Sequence, residues 1–143
     1  MISDLLDEDP RKLQRSFVTE LDPIIVPSIG ADRVRFNHFL FHSDCGFSEL
    51  LVDENTGNVR WDLFYPMKYH NELKGKGLGT SAHMQILLLL SDMGVWSEIE
   101  HPEFQISDDR LRQLGKMGVL LVKDFDLYFE RSADYASSKG IYY

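Results

Sequence analysis

The stretch Lys74-Gly75-Lys76-Gly77-Leu78-Gly79-Thr80-Ser81-Ala82-His83-Met84-Gln85-Ile86-Leu87-Leu88-Leu89-Leu90-Ser91-Asp92-Met93-Gly94 decides how this chain is read. Its second half predicts a helix over Thr80 to Met93, since the run Ile86 to Leu90 implies burial on nearly all sides. Gly94 stands in the usual stop position. The first half places glycines at 75, 77 and 79, a spacing that suits backbone in unusual conformations close to a ligand. Unpaired N–H groups at the start of the following helix, with the positive end of its dipole behind them, favour a phosphate guest. Lys74 and Lys76 add positive charge, and Thr80 adds a hydroxyl. A Walker A loop would need lysine before Thr80, where Gly79 stands. The dinucleotide fingerprint needs one more residue before its third glycine, and it follows the first strand of a parallel unit.

Working upstream, Val34 to Phe41 and Phe47 to Val52 are rich in aromatic and β-branched residues. The turn-forming cluster Asp53-Glu54-Asn55-Thr56-Gly57-Asn58 follows, and Val59 to about Tyr69 reads as a third strand. Alternation places Val59, Trp61, Leu63, Tyr65, Met67 and Tyr69 on one face, with a bulge or splayed edge expected at Pro66. These segments predict an antiparallel meander. Ahead of them, Asp9 as a cap, Pro10 in the first turn and Leu13, Phe17 and Leu21 at helical spacing predict a first helix ending before Pro23.

Downstream, strand-like fragments lie at Val95 to Glu100 and Phe104 to Ile106. Ser107 caps a short helix with Asp108 and Asp109 in its first turn, Leu111 and Leu114 facing inward, and Gly118 closing it. Val119 to Val122 and Leu127 to Phe129 read as two final strands. The expected fold is a single domain over 1–143, α/β (α+β), with a mixed and mostly antiparallel sheet flanked by helices.

Composition narrows the function classes. A length of 143 residues, 43% of them apolar and 27% charged, matches one soluble globular domain. The net charge of −8 argues against nucleic-acid binding and would suit a cationic substrate such as an amine. Cys45, the single cysteine, excludes an internal disulfide and a cysteine-based zinc site. The histidines at 38, 42, 83 and 101 show no metal-ligand spacing, so no metal is expected. The acidic amino terminus lacks the features of a signal peptide, and no apolar run is long enough to cross a bilayer. A cytoplasmic protein with no membrane partner is the expectation. The aromatic tail Ile141-Tyr142-Tyr143 offers a place for a second copy to pack, as in a homodimer.

Lys74-Gly75-Lys76-Gly77-Leu78-Gly79-Thr80 resembles the Arg/Gln-x-x-Gly-x-Gly/Ala signature of the GNAT superfamily of N-acetyltransferases, with Lys74 in the first place. Leu111 to Val119 resembles that family's late helix and its closing Leu-Gly-Phe. The resemblance implies a GNAT-like fold in which the backbone of Lys74, Gly75, Lys76, Gly77, Leu78, Gly79 and Thr80 holds the pyrophosphate of coenzyme A. It also implies that the strand end near Tyr69 pairs with the pantetheine arm. The function it implies is acetyl-CoA-dependent transfer of an acetyl group to an amine of a small molecule or a protein.

Such a reaction needs a neutral amine, and Asp62, on the strand leading to the loop, is the first choice for the base, ahead of Glu49, Glu98 and Glu100. The chain departs from the family at Leu114, where many members carry a tyrosine that protonates the leaving thiolate, and at Ser107, where an asparagine often opens the helix. Those departures keep a second reading open: a non-catalytic GNAT-fold module that binds coenzyme A or contacts another protein. A third is a small phosphate-binding regulatory domain outside the family.

Overall fold

The computed structural model describes residues 16–27, 33–43, 46–66, 78–94, 97–102, 106–141 and 143, with backbone alone at 63–66 and 78. Four strands, β1 (Ser16–Pro27), β2 (Arg33–Ser43), β3 (Gly46–Asp53) and β4 (Val59–Pro66), form an antiparallel meander. Helix α1 (Leu78–Asp92) then crosses over to β5 (Ile99–Glu100), which joins β4 in parallel, and helices α2 (Asp108–Met117) and α3 (Phe125–Ser138) complete the chain. The sheet order is β1-β2-β3-β4-β5, so the architecture is mixed α+β with a mostly antiparallel sheet.

Local chemistry accounts for most boundaries. Between β3 and β4, the Asp53 carboxylate accepts from the N–H groups of Asn55 (2.8 Å) and Thr56 (3.1 Å), closing the turn that the sequence cluster announces. Helix α2 opens on Ser107, whose hydroxyl accepts from the Arg110 N–H at 3.2 Å. Gly94 and Gly118 end α1 and α2 with φ of 78° and 75°, the left-handed geometry a side chain would strain.

One core holds these elements together. Leu50, Val59 and Trp61 of the sheet pack with Met84, Ile86, Leu87 and Leu90 of α1, and Leu114, Phe125 and Tyr128 close the other side. Helix α1 is buried around most of its circumference. Leu88 is the residue of its leucine run that opens to solvent. Each fully buried leucine contributes about 1.5–3 kcal/mol.

Several expectations from the sequence are corrected. Residues 16–21, read as the end of a first helix, belong to β1, while 1–15 lie outside the described residues. Phe17 and Leu21 stand four apart, as a helix would require, but Ser16-Phe17-Val18-Thr19 also suits a strand. Ten register pairs with β2 decide it. Val119 to Val122 runs through a turn, and Leu127 to Phe129 lies inside α3, so neither is a strand. What remains of the expected late pairing is one isolated antiparallel bridge between Glu98 and Asp124. Asp124 instead caps α3, accepting from the Leu127 N–H at 2.9 Å. Leu111 is exposed, and Arg110, Leu114 and Met117 are the buried positions of α2. Of the fragment 104–106, Ile106 is not in a strand and the rest lies outside the described residues. Among the described residues, the order expected from Val34 onward holds through Met117 except at Ile106, and it breaks after Met117.

The two neighbouring leucines of α1 separate burial from helix propensity. Leu87→Ala should cost about 2–5 kcal/mol of unfolding free energy, whereas Leu88→Ala should change it by about 0.5 kcal/mol or less, both read from urea denaturation.

Candidate functional site

Strand β4 carries the residue that the sequence nominates as a base. Its register against β3 pairs Trp61 with Leu50 and Leu63 with Glu49, so Asp62 is an extra residue, a β-bulge. The bulge falls here and not at Pro66, which ends the strand opposite Gly46. It also breaks the expected alternation, because Trp61 and Leu63 no longer stand at equivalent register positions. Bulges re-aim side chains and are enriched beside active sites.

Asp62 has only 12% of its side chain exposed, and Arg60 Nε lies 3.4 Å from its Oδ1. Burial pushes its carboxyl above the ordinary value. Arg60 pulls it back, Glu49 and Glu100 push it further up, and His38 draws it down. Glu49 is itself held by His38, whose Nε2 lies 2.8 Å from its Oε2. The neighbourhood thus combines a desolvated carboxylate, a carboxylate–imidazole pair and one guanidinium.

Beside the bulge lies a buried polar node that sequence reasoning missed. Arg110, on α2, directs its Nη1 at His83 Nδ1 (3.0 Å) and at Gln113 Oε1 (2.8 Å), and its guanidinium sits 4.6 Å above the Trp61 ring. A guanidinium only donates, so Nδ1 of His83 accepts, and the ring proton resides on Nε2, which donates to Ser132 Oγ at 3.1 Å. Trp61 and Tyr128 flank that imidazole at centroid distances of 5.1 and 5.5 Å. His101 bonds Tyr128 Oη at 2.8 Å through Nε2 and also hydrogen-bonds the backbone of Trp61.

Burial pushes His83 well below the ordinary imidazole value and His101 down to about 3, each reinforced by Arg110. Burial raises the Tyr128 phenol, so it keeps its proton and can donate to the neutral His101 ring. The signals were modest: a histidine just ahead of a leucine-rich run, and an arginine three residues past a cap.

The glycine segment is placed only in part. Tyr69, Lys74, Gly75, Lys76 and Gly77 lie outside the described residues, Leu78 begins α1, and Gly79 and Thr80 form its first turn. Gly79 has no left-handed backbone, and a Cβ there would meet Gln113 Nε2 at an ordinary 3.5 Å. Thr80 is buried.

On the same side of the sheet, the parallel ladder between β4 and β5 comprises Val59–Ile99 and Arg60–Glu100. Among the described residues, β4 has no strand partner on that edge beyond Arg60. His101 reaches the Trp61 backbone where the ladder stops. No group of three or more His, Cys, Asp or Glu side chains among the described residues is arranged to hold a metal, and no helix among them is long and apolar enough to cross a membrane.

The raised value of Asp62 fixes the sign of its effect on stability. A carboxyl that is harder to ionise when folded costs stability at neutral pH, and the cost vanishes as pH falls through its folded value. Asp62→Asn should therefore raise the thermal midpoint at about pH 7, with the gain shrinking toward about pH 4 in a series of melts.

Comparison with protein-family models, with curated proteins and with solved structures gives no match.

Proposed function

We propose that this chain is a coenzyme A-dependent N-acyltransferase of GNAT-like fold that moves an acetyl group from acetyl-CoA to a primary amine. The observation that carries this reading is Asp62: a desolvated carboxylate of raised basicity, set by a bulge on the strand that leads toward the glycine–lysine segment. The start of α1 directly after that segment supports a pyrophosphate site built from Lys74, Gly75, Lys76 and Gly77 with the first N–H groups of α1. The edge of β4 beyond Arg60 supports a place where an extended pantetheine arm pairs with the strand, toward Tyr69.

In this reading Asp62 takes a proton from the acceptor ammonium. The neutral amine nitrogen attacks the thioester carbonyl, the amide C–N bond forms, the C–S bond breaks, and the thiolate takes up a proton to leave as the thiol. Tyr128 does not supply that proton, because its hydroxyl is fully buried against His101. Water or another tyrosine supplies it. Positioning of the two substrates can supply roughly 7–11 kcal/mol, and the base typically adds about 10²–10⁴-fold. The acidic surroundings of Glu49 and Glu100 suit a cationic acceptor.

A second reading has its own support. Leu114, at the place of the family's usual acid, is a fully buried core residue, which favours a coenzyme-binding or protein-contacting module without catalysis.

Acetyl-CoA should raise the melting temperature where ATP and NAD do not, and Gly77→Glu should abolish that shift by projecting a carboxylate into the pyrophosphate site. With a reactive amine, thiol release should fall about 10²–10⁴-fold in Asp62→Asn while the acetyl-CoA stabilisation persists. Stabilisation without thiol release across an amine panel would select the binding module, and no stabilisation at all would remove both readings.

A further inference from the structure

Four elements meet on one imidazole. His83 projects from the second turn of α1, accepts from Arg110 of α2, donates to Ser132 of α3, and stacks between Trp61 of β4 and Tyr128 of α3. His83 is 1% exposed. Its neutral form fits this place and its cationic form does not, for a geometric reason. A second ring proton would go on Nδ1, which faces a guanidinium N–H at 3.0 Å, so two donors and two cations would confront each other away from water.

We propose that the His83–Arg110 contact is an acid-sensitive latch, and that protonation of His83 releases α2 from the first turns of α1. This inference is independent of the acyl-transfer reading.

Helix α2 is the element that yields. It spans 10 residues and anchors itself through three buried side chains, Arg110, Leu114 and Met117, so the latch is one anchor in three. Helix α3 has 14 residues and buries Phe125, Tyr128, Ser132 and Ala136. A further link of α2 to α1 runs through the same arginine: Arg110 holds Gln113, and Gln113 lies against Gly79 in the first turn of α1. Release therefore loosens the first turn of α1.

The other titratable groups facing His83 among the described residues do not reverse the effect. Arg110 stays cationic. Tyr128, raised by burial, stays neutral. His101, held down to about 3, adds a second imidazole that must stay uncharged while the node is closed. Both histidines have depressed values when folded, so the closed state is favoured above the ordinary imidazole range near 6.5 and loses ground as pH falls below it, down to about 3 for His101.

The latch can be tested by amide hydrogen exchange on the wild-type chain between about pH 7 and pH 5, corrected for intrinsic rates. Opening linked to one proton lowers protection of α2 about tenfold per pH unit below the imidazole range, and opening linked to both histidines lowers it up to about a hundredfold. Strands β2 and β3 should keep their protection over the same interval. His83→Asn, which keeps a neutral acceptor for Arg110, should remove about one power of ten from that slope. The ¹⁵N shifts of the His83 ring in wild-type protein give a readout that needs no variant: they should report a proton on Nε2 and none on Nδ1 while α2 is protected. Protection of α2 that is flat with pH, equal loss in β2 and β3, or a doubly protonated His83 in a chain whose α2 remains protected would each overturn the proposal.

Discussion

A neutral imidazole and a cationic guanidinium, shut away from water within hydrogen-bonding distance, set the terms for the helical layer. Arg110 cannot be buried without acceptors, and His83 supplies one only in a single tautomer and a single protonation state. That contact ties α2 to α1, and the opposite ring nitrogen ties α1 to α3 through Ser132. The surrounding aromatic rings do the rest, because Trp61 and Tyr128 pack apolar surface against both histidines while Trp61 also receives the arginine on its face. Apolar packing provides most of the burial free energy, and the polar node adds directional contacts that a slip of one helix along another would break.

The sheet has a counterpart constraint in the bulge at Asp62. An extra residue in β4 interrupts the ladder with β3 just where the parallel pairing with β5 also stops. Both sides of the strand change pairing within three residues. The bulge leaves a desolvated carboxylate beside Arg60, Glu49 and Glu100, and His101 caps the Trp61 backbone from the other side. A register break and a cluster of charged groups thus coincide at one stretch of the meander, where a functional site is expected to sit.

The two misread ends of the chain show why local signals were insufficient. Phe17 and Leu21 satisfy helical spacing, and no residue in 16–21 forbids a strand. The answer lay 20 or so residues away, in the β2 backbone that pairs with them. At the other end the signal for α3 was present. Asp124 is a good cap, and Phe125, Tyr128, Phe129, Ser132 and Ala136 recur at helical intervals. The aromatic content of Leu127-Tyr128-Phe129 suggested a strand only when those three residues were read without the nine helical residues that follow. The bulge was also displaced in the reading, to Pro66, because proline announces a lost donor while nothing in Arg60-Trp61-Asp62 announces an extra residue.

What the sequence determined by itself was the local grammar: a meander from Val34 to about Tyr69, described as far as Pro66, a nearly all-round apolar helix stopped by Gly94, and a second helix running from Ser107 to Gly118. Turn residues, caps and apolar periodicity act over a few residues, so they can be read in order along the chain. It also nominated Asp62, though without the reason for its basicity. What only the tertiary structure decided was every property that depends on neighbours distant in the chain: the strand state of residues 16–27, the bulge, the desolvation of Asp62, and the meeting of His83 with Arg110 across 27 positions. Desolvation and long-range pairing depend on what folds over a residue, and no local pattern encodes that.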